Sequence, residues 1–269
     1  AAVTATPDAP PPSAADKVTK GELDDVTNLV FRARDEVDRV RDAMRRTYQL
    51  NTPELTPKFK QLLEDIEKAP GKKHKLEDFA GRHFLPVTKG TFRRKSVAGA
   101  DLVKHKKKPL KFPLLKDVNA DKEASAVAME VQRLVRQFCD GPDAGAPAYL
   151  QTIIGHGLGA RGPLSIEIYA QALQHGNGNA DDKSAQHAWH LLAACCAHFV
   201  PRPDEFVPPL LDYLVVSARA AKPAWLAPCA KFCLQVFQRT FLYGDRMSAP
   251  SAREVEALRK REPMQIPVM

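Results

Sequence analysis

The segment from residue 163 to residue 203 reads PLSIEIYAQALQHGNGNADDKSAQHAWHLLAACCAHFVPRP. It contains two stretches in which apolar residues recur every three or four positions, the spacing of an amphipathic helix. Between them, Gly-Asn-Gly-Asn at residues 176–179 favours a turn, and Pro201 and Pro203 end the second stretch. The segment therefore predicts an αα-hairpin at the centre of a helical core. The predicted interior residues are Trp189, Leu191, Leu192 and Phe199.

Helical periodicity continues on both sides of this hairpin. Upstream, residues 122–139 and 149–158 are predicted to be helical, and downstream, residues 206–221 and 224–241. Ser251, followed three positions later by Glu254, is the capping-box signature of a last helix. These patterns predict an all-α fold, a compact multi-helix bundle. The five cysteines all lie in apolar helical patterns, which favours reduced thiols in the core over a disulfide framework.

The amino-terminal part of the chain differs from this bundle in composition. Residues 1–17 are rich in Ala and Pro and are predicted to be a disordered head. Residues 18–50 are predicted to form a long amphipathic helix with a heptad-like apolar seam. This helix either packs on the body of the protein or docks on another chain, and its narrow seam favours docking. The seam residues predicted to contact a partner helix are Leu23, Val26, Val30, Val37, Val40 and Met44.

The remaining boundaries follow from breaks in these patterns. Residues 51–75 are predicted to be a basic linker that contains one short amphipathic helix. The main helical domain is predicted over residues 76–262. Residues 263–269 read as the first strand of a following segment.

Positive charge is concentrated in one part of the chain. The net charge is +8, yet residues 58–116 alone carry 17 Lys and Arg against 6 Asp and Glu. This segment is either a solvated, flexible insertion or the contact surface for an acidic partner. Few aromatic residues are interleaved, which disfavours nucleic acid, and no bulky apolar face is present for a membrane. The candidate contact residues are Arg93, Arg94, Lys95, Lys104, Lys106, Lys107, Lys108 and Lys111.

No pattern in the sequence predicts catalysis, a cofactor or a metal site. Gly-His-Gly-Leu-Gly at residues 155–159 follows no predicted strand, so it is interpreted as the end of a helix rather than a dinucleotide loop. His187, His190, Cys195 and His198 have spacings that could share a metal. However, Cys195 lies on the apolar face of its helix, where a free thiol packs as a small hydrophobic group. We therefore predict that the protein is not an enzyme.

Several short motifs, in order and at consistent spacing, resemble the myosin tail homology 4 domain. In the central segment these are Glu-Ile-Tyr-Ala-Gln at residues 167–171 and Trp-His-Leu-Leu at residues 189–192, followed by Pro201. Upstream, residues 78–84 (DFAGRHF) and residues 108–115 (KPLKFPLL) resemble the opening boxes of that family. Downstream, Gly-Asp-Arg at residues 244–246 and PSAREVEAL at residues 250–258 resemble its exit.

This resemblance implies an all-helical, non-catalytic domain of the kind found in the tails of unconventional myosins and some kinesins, where a FERM domain often follows. Such domains bind microtubules or cargo through basic surfaces. The function expected first is cytoskeletal attachment to tubulin or another acidic protein surface, as in a ciliary or flagellar axoneme. The head and the seam helix would bind other cytoskeletal proteins. The alternatives are a cargo-binding tail module of a motor and a nucleic-acid-binding helical protein. A cytoplasmic, cytoskeletal location without membrane insertion is expected.

Overall fold

The computed structural model describes residues 55–86, 88–89, 95–96, 99–160 and 162–261. The predicted head at residues 1–17, the seam helix at residues 18–50 and the following segment at residues 263–269 lie outside the described residues. The contact proposed between the seam residues and a partner helix therefore stays a prediction.

Helices make up nearly all of the regular structure among the described residues. In chain order they are α1 (Leu55–Lys68), α2 (Leu76–His83), α3 (Gly99–Leu102), α4 (Lys116–Ala120), α5 (Lys122–Asp140), α6 (Pro147–Gly159), α7 (Pro163–Gly176), α8 (Asp182–His198), a 3-10 turn (Asp204–Phe206), α9 (Val207–Ala218), α10 (Leu226–Tyr243) and α11 (Ala252–Lys260). One two-residue antiparallel pair, β1 (Thr88–Lys89) with β2 (Lys95–Ser96), lies between α2 and α3. The predicted all-α class is confirmed.

The central hairpin consists of α7 and α8 joined by a short turn, as predicted. Asp181 caps α8 because its side chain accepts the backbone N–H groups of Lys183 and Ser184. Gly178 in the turn has a φ of +70°, a conformation that favours glycine. The predicted interior is buried, with Trp189 only 3% exposed. Helix α8 packs against α5, α6, α7, α10 and α11, so it is the central helix of the bundle.

The cysteines are free and buried in this core. Cys195 and Cys196 on α8 are fully buried, and Cys233 on α10 is buried as well. Burial raises the pKa of the Cys195 and Cys233 thiols well above the usual range. The interpretation of these residues as apolar packing groups is consistent with this placement.

Helix α1, which falls in the segment predicted to be a linker, packs on the helical body. Phe59 and Ile66 are buried, and the rings of Phe59 and Phe241 lie 4.5 Å apart between centroids. After this helix, the backbone N–H of Gly71 donates to the buried carboxylate of Asp212 at 2.7 Å. The domain boundary drawn at residue 76 stays a prediction, but α1 contributes apolar side chains to the same core as the helices that follow it.

The glycines at residues 155–159 form the last turns of α6. Gly157 is buried against Phe199, and a Cβ atom at position 157 would overlap the Phe199 ring. Replacing Gly157 with alanine is therefore expected to lower the free energy of unfolding by about 1–3 kcal/mol through overpacking. Thermal denaturation followed by circular dichroism measures this loss.

Gly155 in the same helix is the matched control. A Cβ atom at position 155 has no neighbour within 4 Å. Replacing Gly155 with alanine is expected to stabilise the helix by up to about 1 kcal/mol, because alanine has the higher helix propensity. Equal melting temperatures for the two variants would contradict the close contact between α6 and Phe199.

Candidate protein-interaction site

The carboxylate of Glu167 joins the basic segment to the central hairpin. Glu167 lies on α7 and is fully buried. Its two carboxylate oxygens accept the backbone N–H groups of Leu114 and Leu115, each at 2.8 Å. Burial raises the pKa of Glu167, while these hydrogen bonds and one from Gln171 act in the opposite direction. Glu167 therefore fixes residues 108–115, near the end of the basic segment (residues 58–116), to the core.

Glu167 belongs to the Glu-Ile-Tyr-Ala-Gln motif at residues 167–171, and two more side chains of this motif bind main-chain groups of other segments. The Tyr169 hydroxyl donates to the backbone oxygen of Phe199 at 2.7 Å. The Gln171 amide nitrogen donates to the backbone oxygen of Ala128 on α5 at 3.0 Å and to Glu167 at 2.8 Å. The Glu, Tyr and Gln of the motif at residues 167–171 thus satisfy buried polar groups in three different parts of the chain.

The end of α7 and the turn after it hold the basic segment at a second place, residues 102–105. The side-chain nitrogen of Gln174 donates to the backbone oxygen of Leu102 at 2.6 Å, and that of Asn177 donates to the oxygen of Val103 at 3.1 Å. The backbone N–H of His105 donates to the oxygen of Asn177 at 2.8 Å. Leu102 and Val103 are buried. The alternative of a flexible, solvated insertion does not describe this part of the segment.

An apolar groove lies between these two anchors. It has a volume of about 590 Å³, within the roughly 300–1,000 Å³ of ligand-binding pockets. One wall is the chain that leaves α2, and the other is the loop between α3 and α4. We call it the lysine-rimmed groove. The apolar residues that line it include Phe84, Leu85, Leu102, Leu110, Phe112 and Leu114.

Lysines surround the groove, and none of its lining residues is acidic. We use the name lysine cluster for the five lysines of this segment, of which three line the groove and the other two are exposed beside it in sequence. The lining lysines are Lys106, Lys108 and Lys111, and the neighbouring ones are Lys104 and Lys107. Among the described residues, no ion pair involves Lys107, Lys108 or Lys111, so their charges are free to pair with a partner.

The rest of the lysine cluster is held in place by polar contacts. Lys104 forms an ion pair with Asp101 at 3.5 Å, and the Lys106 ammonium donates to the backbone oxygen of Asp101 at 2.6 Å. From α5, the Arg136 guanidinium donates to the backbone oxygen of Lys107 at 3.1 Å. The loop therefore presents its lysines from a fixed backbone.

The predicted contact residues are only partly brought together by the structure. The members of the lysine cluster lie on this loop. Arg93 and Arg94 lie outside the described residues, and of Lys95 only the backbone is described, in β2. Sequence reasoning missed the groove itself and Phe112, which is 64% exposed. The signal available was a large aromatic residue between Lys111 and Pro113, in a stretch without helical periodicity.

A serine, a histidine and an aspartate also meet near the turn. Ser184 donates its hydroxyl to Asp140 at 2.5 Å, and the His175 Nε2 atom lies 3.1 Å from the same carboxylate oxygen. Ser184 is only 4% exposed, and burial lowers the pKa of His175. The Ser184 Oγ atom also lies 3.2 Å from His175 Nε2, but its shorter contact is the hydrogen bond that it donates to Asp140. Because the serine hydroxyl is buried and donates to the carboxylate, this cluster favours a structural role for the three side chains over nucleophilic catalysis.

Of the histidines whose spacing suggested a metal site, His187 and His190 have ring centroids 6.3 Å apart, and His198 is hydrogen-bonded within its own helix. His198 is buried, its Nδ1 atom lies 2.7 Å from the backbone oxygen of Ala194, and burial lowers its pKa to about 4. Within the described ranges, no group of three or more His, Cys, Asp or Glu side chains is arranged to hold a metal ion. None of the helices in the described ranges has the length and apolar content needed to cross a membrane.

The fold and the site together define a helical domain with an exposed lysine-rimmed groove. Residues 150–257 match the family model described as the MyTH4 domain, that is, the myosin tail homology 4 domain. The recognition of this domain from sequence motifs is thereby confirmed. The matched residues include the central hairpin and the exit motif, whereas the two opening boxes lie before them.

Similar proteins are myosins of much greater length. Over 119 residues the chain is 33% identical to myosin-VIIa of Drosophila melanogaster, an alignment that covers 44% of this chain and 5% of that protein. Over 134 residues it is 28% identical to unconventional myosin-VIIb of Mus musculus, covering 48% of this chain and 6% of that protein. The chain thus corresponds to only a small part of these relatives.

Solved structures of myosin tails share the fold. The MyTH4-FERM MF1 domain of Dictyostelium discoideum myosin VII superimposes with a TM-score of 0.60 at 22% identity, over 71% of this chain and 38% of that one. The C-terminal MyTH4-FERM domain of human myosin 7b, solved in complex with the harmonin-a PDZ3 domain, gives a TM-score of 0.53 at 21% identity, over 72% and 37%. Both superpositions cover more of the chain than the family model does.

Proposed function

We propose that this domain is a non-catalytic attachment module that binds microtubules, or an assembly built on them, through the lysine cluster. The observation that carries the proposal is the anchored loop with five lysines in residues 104–111, three of them without an ion pair among the described residues. Tubulin presents an acidic outer surface, which is the charge that such a loop attracts. We further propose that the protein is a structural component of a ciliary or flagellar axoneme. In that assembly the seam helix at residues 18–50 would attach it to a neighbouring chain.

A second candidate is a cargo-binding module of a myosin tail. The similarity of residues 150–257 to the MyTH4 domain, and of the chain to myosin VII proteins, favours it. In this case the lysine cluster binds an acidic protein partner rather than the microtubule. The two candidates share the same contact residues and differ in the identity of the acidic surface, so one set of variants tests both.

Reversing the charge of all five lysines of the lysine cluster to glutamate is expected to weaken microtubule binding by more than about tenfold. Exposed charge pairs contribute roughly 0.2–1 kcal/mol each, and about 1.4 kcal/mol is a factor of ten in affinity. Co-sedimentation of the full chain with stabilised microtubules across a salt series measures the loss. Binding of the unmodified chain should fall steeply with salt, because exposed charges are screened.

A matched variant reverses five exposed lysines elsewhere on the body. These are Lys122, Lys183, Lys222, Lys231 and Lys260. It has the same net charge as the lysine cluster variant, so a specific contact predicts a much smaller loss of binding. Equal losses in both variants would contradict a contact at the lysine cluster. A shortened chain that begins at Thr52 separates the contribution of the seam helix.

A further inference from the structure

We propose that the lysine-rimmed groove binds an acidic peptide segment with large apolar side chains. The apolar side chains enter the groove, and the flanking carboxylates pair with the lysines on its rim. This inference rests on the proposed function, because it uses the same lysine cluster, and it adds the kind of partner that the site recognises.

The exposed aromatic ring of Phe112 is the first observation behind this inference. Contiguous exposed apolar surface with a polar rim marks interaction sites and ligand-binding grooves, whereas a single exposed apolar side chain does not. Phe112 is 64% exposed and lines the groove beside the partly buried Leu110. The other strongly exposed large apolar side chains of the described residues, Val216, Tyr243 and Met247, do not line it. An apolar side chain of a partner would cover Phe112 and Leu110 together.

The positive charge around the groove favours a negatively charged partner. Three lysines line it and no acidic residue does. A partner that places carboxylates at the rim gains complementary pairs, whereas a basic or neutral apolar segment does not. An anionic membrane has the same charge, but a membrane-binding surface inserts protruding apolar side chains into the lipid. The apolar residues here line a concavity, which favours a peptide that enters it.

The groove is already formed in the free chain. Glu167 holds the end of the α3–α4 loop at Leu114, and the backbone N–H of Leu85, in the other wall, donates to the oxygen of Leu114 at 2.7 Å. Gln174 holds the start of the same loop at Leu102. Because hydrogen bonds already fix the walls, the protein loses little conformational entropy when a peptide binds. More of the free energy of the peptide contacts therefore contributes to affinity.

Fluorescence anisotropy with two labelled peptides tests the inference on the full chain. The first peptide consists of glutamates with two leucines near its centre, and the second has both leucines replaced by serine. The leucine peptide is expected to bind at least about tenfold more tightly, as burial of one large apolar side chain accounts for that factor. Phe112→Ala should remove about tenfold of affinity for the leucine peptide and leave the serine peptide unchanged.

Tyr243→Ala is the matched control, since Tyr243 is 59% exposed and lies outside the groove. It should bind both peptides as the unmodified chain does. Because Phe112 and Tyr243 are both exposed, neither change should alter the melting temperature, and a measured melting curve checks this.

The possible results separate this inference from the proposed function. Equal affinity for the two peptides, with both weakened by reversal of the lysine cluster, would overturn the groove inference and leave the attachment function standing. Binding to vesicles of anionic phospholipid but to neither peptide would overturn the groove inference in favour of a lipid surface. Absence of binding to peptides and microtubules at low salt would overturn both.

Discussion

Replacing Glu167 with alanine is expected to lower the free energy of unfolding by about 3–5 kcal/mol. The change removes the acceptor for the backbone N–H groups of Leu114 and Leu115, and each buried donor left without a partner costs about 1–3 kcal/mol. Gln171 also loses a hydrogen bond to the same carboxylate. Chemical denaturation followed by circular dichroism measures the loss.

Two further variants make this result specific. Glu167→Gln keeps one oxygen acceptor but places an amide NH₂ where the second carboxylate oxygen was, so about half of the loss is expected. Glu130→Ala removes an exposed carboxylate that pairs with Arg133 at 2.7 Å, and should cost less than about 1 kcal/mol. Hydrogen exchange should accelerate at the Leu114 and Leu115 amides in the Glu167 variants. If their exchange stays unchanged, Glu167 does not anchor the loop.

Replacing Trp189 with alanine is the second large change, with an expected loss of about 3–5 kcal/mol for a buried aromatic side chain. Trp189 is 3% exposed, stacks on Tyr213 with ring centroids 5.8 Å apart, and lies next to Gly176 at the end of α7. It therefore joins the two helices of the hairpin and α9. For a domain of this size, the melting temperature should fall by roughly 10 °C.

The protein contains one other tryptophan, Trp225, which serves as the comparison. Trp225 is only partly buried at the start of α10. Its replacement by alanine removes the same number of atoms from a less enclosed site, and the loss should be clearly smaller. A Trp189→Ala variant as stable as the unmodified chain would show that the hairpin is not the centre of the core.

The parts of the fold that the sequence predicted are those set by local chemistry. The hairpin follows from apolar periodicity on both sides of a Gly-Asn turn. The capping box is equally local, because Ser251 accepts the backbone N–H of Glu254 while the Glu254 side chain accepts that of Ser251. The lysine cluster could be identified from charge alone, since 17 of the basic residues occur in one segment.

The parts that could not be predicted depend on pairs of residues far apart in the chain. Glu167 binds amides more than 50 positions before it, and Gln174 binds the Leu102 oxygen 72 positions before it. Periodicity within a helix carries no information about such partners. For the same reason the sequence does not predict the packing of Phe59 on Phe241, and the composition around Phe59 favours a linker with a short helix. The groove forms only where these distant pairs meet.

The buried cysteines provide a chemical probe of how often the helical core opens. Alkylating reagents attack the thiolate, and burial both blocks access to Cys139, Cys195 and Cys233 and raises their pKa. In the native state these sulfurs can be labelled only when the helices around them separate. The rate of alkylation under native conditions is therefore a direct readout of how often the bundle opens.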